Sequence, residues 1–423
     1  MKKFALLLLI LMIAVCALCL TSCFGKAADL SFGDYRYTVQ NGEVTITEYN
    51  GDSAEVIIPE SIKGMPVVTI ETSAFHNCEK IKTLVIPDSV EKIELLAFSK
   101  CYSLENVTLG NGVRIIDSAP FAYCDKIVYN EYENGLYLGN EENPYLALVT
   151  TASEHIDRIT IHPDTVVICG SAMKSCYLLR ELVIPEGVVS LGSSAFAYAS
   201  GLEKIYIPKS VEYIGSMAFR SCDSIKEITV ADENPNFKSV DGSLFSRDGS
   251  TLIKYAVGND NAVYSVPDGT VVIEDNAFEN AKYLTEVALP DSVETLCHSA
   301  FLRCENLKKV DLGNGLKEIG GCAFGSCTSL TEIIIPDSVK TVAYHAFSYC
   351  NKLERAVIGS GTGNVEFGAF SGCTSLKEVI FKNTDGWKVQ AKHGIFPRKV
   401  DVTDPKKNVE NLTGAYREYY WTK

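Results

Sequence analysis

Leu202-Glu-Lys-Ile-Tyr-Ile-Pro208, then Val211-Glu-Tyr-Ile-Gly215, then Ala218-Phe219 and Cys222, is one copy of a unit that returns along almost the whole chain. Its closing dipeptide stands at Ala74-Phe75, Ala97-Phe98, Pro120-Phe121, Ala172-Met173, Ala195-Phe196 and Ala218-Phe219. It returns at Ala277-Phe278, Ala300-Phe301, Ala323-Phe324, Ala346-Phe347 and Ala369-Phe370. Uninterrupted neighbours lie 23 residues apart (97−74, 195−172, 300−277). Self-similarity at a period of roughly 20–50 residues marks a solenoid, in which each unit buries its apolar face only against the next. Chains of this kind bind things and rarely catalyse.

Aligned, the copies read Leu-x-x-Ile-x-Ile-Pro-x-x-Val-x-x-Ile-Gly-x-x-Ala-Phe-x-x-Cys. The β-branched, alternating Leu-x-x-Ile-x-Ile segment reads as a strand. The proline after it (Pro87, Pro185, Pro208, Pro290, Pro336) removes a donor and stops the ladder. Val-x-x-Ile-Gly reads as a second short strand, with Gly192, Gly215 and Gly320 expected to allow the turn that follows. Ala-Phe-x-x-Cys is too short for a stable α-helix and is expected to form a single helical turn. The fold class is therefore mainly β: parallel sheets stacked about 4.8 Å per coil, which over eleven coils makes a rod longer than about 50 Å.

This unit resembles the BspA-like leucine-rich repeat, a 23-residue variety of bacterial surface proteins, over about residues 35–381. The resemblance implies a leucine-rich-repeat solenoid on a cell-surface or secreted protein. It further implies adhesion to matrix proteins or to other cells, and it names no ligand.

Two interruptions break the period, one of 52 residues between Phe121 and Met173 and one of 59 between Phe219 and Phe278. The first holds Asn134-Gly-Leu-Tyr-Leu138 and Tyr145-Leu-Ala-Leu-Val149; the second holds Ser239 to Phe245 and Arg247 to Tyr255 around Asp248-Gly249. Each reads as a hairpin insertion, at residues 128–150 and 237–256. Structural elaboration of a coil and a contribution to a binding face both stay open. The ends are atypical, as capping coils must be. Tyr35 to Glu48 alternates across Asn41-Gly42, a hairpin signal. After Phe381 the chain is polar, with a short helix expected from Asp404 to Thr413, Asp404 as its N-cap and Pro405 at its first position. The cluster Tyr416-Arg-Glu-Tyr-Tyr-Trp421 is expected to lid the last coil.

Lys2 and Lys3 precede a nearly unbroken apolar run, Phe4 to Leu20, closed by Thr21-Ser22-Cys23. A secretory signal has this head and this run. The ending resembles the lipobox of bacterial lipoproteins, which implies that Cys23 is acylated and becomes the mature N-terminus. An uncleaved membrane-spanning helix is the other reading. The expected organisation is a signal peptide at 1–22, an anchor and linker at 23–34, the solenoid at 35–381 and a cap at 382–423. The implied location is the extracytoplasmic side of the cell membrane, held by lipid alone. Cleavage after residue 22 removes two lysines and no acid, taking the net charge from −14 to −16 (−14−2). An acidic surface argues against nucleic acid and against docking on anionic lipid.

Nine of the fifteen cysteines share one repeat position: Cys78, Cys101, Cys124, Cys176, Cys222, Cys304, Cys327, Cys350 and Cys373. Ala199 and Ala281 fill the same slot, so it calls for a small buried residue, and a ladder of free thiols is expected. Cys169 and Cys297 precede Cys176 and Cys304 by seven residues, leaving a local bridge open. Histidines at 76, 155, 162, 298, 345 and 393 show no metal spacing. No Gly-x-Ser-x-Gly elbow, phosphate loop or nucleotide fingerprint occurs, so no cofactor and no catalytic role are assigned. Acidic residues alternate in sign with basic ones along the strand flanks, as in Glu203-Lys204 and Glu354-Arg355, which reads as a solvated face.

One outward column stands apart. The residue between the paired isoleucines of the first strand is Val85, Thr108, Val183, Tyr206, Thr229, Ala288, Asp311, Ile334, Val357 or Ile380. Only Asp311 is charged. Such a stripe suits a shallow groove for a protein or cell-surface macromolecule; equally, β-branched residues merely suit a strand. Glycan capture for partner enzymes or transporters is the alternative function. It would need aromatic platforms, and Tyr206 is the one aromatic in this column.

Overall fold

The computed structural model describes residues 30–391, 394 and 396–423. Cys23 and His393 lie outside the described residues.

The backbone winds through repeated coils with two strand-bearing faces. On one face, the end of each Leu-x-x-Ile-x-Ile segment pairs in parallel with its successor in blocks of three strands. Glu55–Ile57, Thr83–Ile86 and Asn106–Leu109 form one block; Glu181–Val183, Lys204–Ile207 and Glu227–Val230 form the next. Val263–Ser265, Glu286–Ala288 and Lys309–Asp311 form the third, and Glu332–Ile334, Arg355–Ile358 and Glu378–Phe381 the fourth. On the second face the Val-x-x-Ile segments contribute two-residue strands such as Tyr213–Ile214, again parallel and one repeat apart. Alternation puts Ile205, Ile207, Ile228 and Val230 inside.

The Ala-Phe-x-x-Cys segment departs from the expected helical turn. Every second N–H donates to the next coil: Ser73 to the carbonyl of Leu95, Phe75 to Ala97 and Asn77 to Ser99, at 3.1, 2.7 and 2.9 Å. The intervening N–H groups of Ala74, His76 and Cys78 close turns within their own coil. This alternation demands a left-handed residue before Ala and another before Cys. Ser73 and Asn77 take φ of 60° and 63°, as do Ser194 and Tyr198 at 59° and 64°. A helical turn would spend all these donors locally and leave this face of the coil without a ladder to its neighbour. Among the described residues, none of the non-glycine residues at positive φ is Val, Ile or Thr, as steric crowding at Cβ requires.

Gly192, Gly215 and Gly320 also serve differently from the expectation, since none has positive φ. A Cβ on Gly192 would lie 2.2 Å from the backbone nitrogen of Gly170, so the residue is small because the adjoining coil passes close by.

The core carries two recurring columns. Phenylalanine rings stack from coil to coil, 4.4 Å apart for Phe278 and Phe301, 5.0 Å for Phe301 and Phe324, and 5.3 Å for Phe324 and Phe347. Such pairs contribute about 0.5–1.5 kcal/mol each beyond their burial. Tyr49 and Tyr255 extend the stack where a coil lacks its phenylalanine. The second column is the cysteines. Cys101, Cys124, Cys222, Cys304, Cys327, Cys350 and Cys373 each donate their thiol to the carbonyl of the phenylalanine in the preceding coil, at 3.0–3.2 Å. The slot therefore does more than accept a small residue: sulfur reaches an acceptor that alanine cannot. Cys169, Cys176 and Cys304 are free thiols, so neither seven-residue pair is bridged. Desolvation pushes Cys222 up to about 12 and holds Cys327 well above the ordinary thiol range, so these groups stay protonated and unreactive.

Both interruptions are three-stranded rather than simple hairpins. Asn130–Tyr132, Gly135–Leu138 and Ala147–Thr151 pair antiparallel in turn, and the last continues the second face in parallel with Val167–Ile168. Phe237–Val240, Ser243–Ser246 and Thr251–Lys254 repeat that plan and lead into Val272–Ile273. At the N-terminal end Tyr35–Gln40 and Glu43–Tyr49 form the expected hairpin, with Asn41 and Gly42 at positive φ. At the other end Asp404 caps a helix at Pro405–Glu410, accepting from the N–H groups of Lys406 and Lys407. Tyr419–Thr422 then pairs antiparallel with Asn364–Val365, and Trp421 is buried over the final coil.

Candidate functional surface on the first sheet

Strand register, rather than sequence spacing alone, brings the outward residues into line. Val85 sits beside Thr108; Val183, Tyr206 and Thr229 run in succession; Ala288 adjoins Asp311; Ile334, Val357 and Ile380 close the series. Thr108, Val183, Thr229, Asp311 and Ile334 are exposed, while Val85, Tyr206, Ala288 and Ile380 are half-buried by their neighbours. Val183 keeps 67% of its surface and Ile334 52%, large values for side chains so apolar.

Val357 departs from the expectation: it retains 7%. It lies between the longer Ile334 and Ile380 on adjoining strands, and Arg355 beside it bridges Glu332 and Glu378. A short branched side chain flanked in this way is covered.

Ile57, in register with Val85, belongs to the same column and is 71% exposed. Reasoning from the Ala-Phe dipeptide missed it because its coil lacks one. The signal was present in Val56-Ile57-Ile58-Pro59, the strand ending of the consensus.

The flanks carry the alternating charges. Glu203 bonds Lys226 at 2.7 Å and approaches Arg180 at 3.6 Å, and Lys377 meets Glu354 at 2.8 Å. Lys226 beside it holds the Glu203 carboxyl below its usual range. These exposed pairs are worth little in stability, but their side chains are committed to each other across coils and leave the column beside them open.

The insertions interrupt this surface rather than widen it. Gly139 of the first bridges Thr108, and Ser239 of the second accepts from the N–H of Val230 at 2.9 Å, so each ends a block of the sheet. Concavities of about 360 and 350 Å³ lie at the C-terminal cap around Val389 and Phe396 and at the N-terminal cap around Tyr35 and Asn50. Neither is lined by a residue of the column. Among the described residues no group of three His, Cys, Asp or Glu side chains is placed to hold a metal. No helix among them is long and apolar enough to cross a membrane. Tyr344, next to His345, reaches over Gly321 to His298, with its hydroxyl 3.3 Å from Nδ1.

Coils of this construction define a leucine-rich-repeat solenoid, a fold that works as a binding scaffold. The chain belongs to the BspA type Leucine rich repeat region family, whose profile matches residues 49–141, 151–261 and 266–387. Among solved structures it is similar to a leucine-rich repeat protein from Eubacterium ventriosum, at 19% identity and a TM-score of 0.50, over 84% of this chain and 85% of that one. It is also similar to a leucine rich cell surface protein from Faecalibacterium prausnitzii, at 25% identity and a TM-score of 0.48, over 85% and 96%. A third is the pneumococcal vaccine antigen PcpA, at 23% identity and a TM-score of 0.44, over 85% and 89%. No curated protein sequence matches the chain.

Proposed function

We propose that this is a lipid-anchored bacterial surface protein that adheres to a protein on a matrix or another cell through the outward column of its first sheet. One observation carries the reading: Ile57, Val183 and Ile334 are exposed on a sheet face whose flanking charges are paired among themselves. An isolated strand preference for β-branched residues accounts for their type. It does not account for a stripe with one charge, Asp311, in ten positions running alongside two mostly charged columns, those two and three residues before it. The centre of a protein interface is depleted of charge and its rim is polar, which is the pattern of this face. Cys23 is the proposed anchor, because it closes the apolar leader behind Leu20-Thr21-Ser22.

The test is a binding array of the full-length protein against matrix proteins, mucins and neutral glycans. Saturable binding to a protein supports the proposal. Binding confined to neutral glycans would replace it with the glycan-capture alternative.

A further inference from the structure

Several exposed aromatic residues lie off the column, on the turn face of the coils. Tyr102 and Tyr177 directly follow Cys101 and Cys176, while Tyr123 and Tyr198 directly precede Cys124 and Ala199. All four rings are exposed, Tyr123 to 65%. Tyr123 and Tyr198 occupy a left-handed position, with φ of 63° and 64°. Sister coils place Asn77, Ser175 and Asn280 there, residues that suit it far better, and in other coils the long side chains of Lys100, Arg303 and Tyr349. A bulky side chain in this conformation costs about 1–3 kcal/mol, and such strain collects at functional sites.

Cations accompany the rings. The Lys174 ammonium stands 5.9 Å from the centre of the Tyr198 ring and the Arg220 guanidinium 5.6 Å from it. His155, from the segment after the first insertion, packs edge-on to Tyr177 at 5.3 Å. Nε of Arg220 is buried without a hydrogen-bond partner. On a chain of net charge −14, two cations, Lys174 and Arg220, thus stand beside a flat exposed ring.

We propose that Lys174, Tyr177, Tyr198 and Arg220, with Tyr102 and Tyr123 along the same face, bind an anionic polysaccharide. Tyrosine rings accept the C–H faces of sugar rings and keep a hydroxyl for their edges. A guanidinium beside them pairs with carboxylate or sulfate through two parallel N–H donors. The site is independent of the sheet column and remains in place if the column binds nothing.

The experiment measures binding of the full-length protein to heparin, with dextran as a neutral polymer and a single-stranded oligonucleotide as a non-sugar polyanion. Wild type binds heparin in a salt-sensitive manner, in preference to both controls. Tyr123→Asn with Tyr198→Asn weakens it about tenfold while melting no earlier, because asparagine is what two sister coils carry there, at Asn77 and Asn280. Lys174→Gln with Arg220→Gln flattens the salt dependence. Absent heparin binding, equal binding to dextran or to the oligonucleotide, or unchanged affinity in the tyrosine variant would each overturn the proposal.

Discussion

Replacing Cys327 by serine or alanine probes the thiol column at its best-defined point. Cys327 is fully buried, and its Sγ lies 3.2 Å from the carbonyl oxygen of Phe301. That carbonyl also accepts the N–H of Cys304 at 3.2 Å, so deleting the thiol leaves no orphaned acceptor. The cost of Cys327→Ala is then a one-atom cavity and a weak hydrogen bond, about 1 kcal/mol by analogy with removing a buried methylene. Serine keeps a donor, but its shorter C–O bond draws the oxygen back from the carbonyl, so the bond lengthens and repays only part of the hydroxyl's desolvation. A loss of about 1–2 kcal/mol follows, below the roughly 2–7 kcal/mol of an unsatisfied buried hydroxyl. Urea unfolding reads both as midpoint shifts at constant slope. Serine costing more than about 3 kcal/mol would mean that Phe301 is not the acceptor, and the account of the column would fall. Labelling adds a check: the column thiols should react slowly in buffer and completely in denaturant without reductant.

Burial lowers the Lys254 ammonium below its ordinary value of 10.5, so between that depressed value and 10.5 the unfolded chain holds more protons than the folded one. Stability therefore rises with pH across this window, and Lys254→Met should flatten the rise in unfolding midpoint plotted against pH; parallel curves would refute it. Ser326→Val, at φ of 59°, should cost about 1–3 kcal/mol because a β-branched residue resists the left-handed region; an unchanged melting temperature would contradict the turn geometry. Cys23→Ala should move the protein from the membrane fraction to the medium or leave an uncleaved precursor, whereas processing and retention like wild type would remove the anchor from the account.

The solenoid was legible because its signal is repeated: Leu202, Ile205, Ile207, Val211 and Ile214 matter little singly, but their recurrence specifies stacking. Asp404-Pro405 and Asn41-Gly42 were legible because capping and tight turns have local chemistry that few other residues supply. Ala-Phe-x-x-Cys was misread because its hydrogen bonds alternate between its own coil and the next, and single-sequence propensity registers only the local half. The thiol acceptors were hidden for the same reason, since Phe301 is 26 residues from Cys327. Val357 was misplaced because period two gives direction and not exposure, which depends on Ile334 and Ile380 beside it. The tyrosine face escaped notice because Tyr123 and Tyr198 occupy positions that read as ordinary turn residues until positive φ reveals their cost.

The measurement that bears most directly on the proposed function is the affinity of Val183→Glu, Tyr206→Glu, Ile334→Glu for whichever protein the array identifies. Lys308→Glu on the exposed flank serves as control. Outward positions should tolerate the change at about 0.5–1 kcal/mol each, leaving the coils folded by circular dichroism. Charge at an interface centre excludes a partner that needs an uncharged surface, so the triple variant should lose binding while the control keeps it. Wild-type affinity in a folded triple variant would contradict the account and move the site off the first sheet.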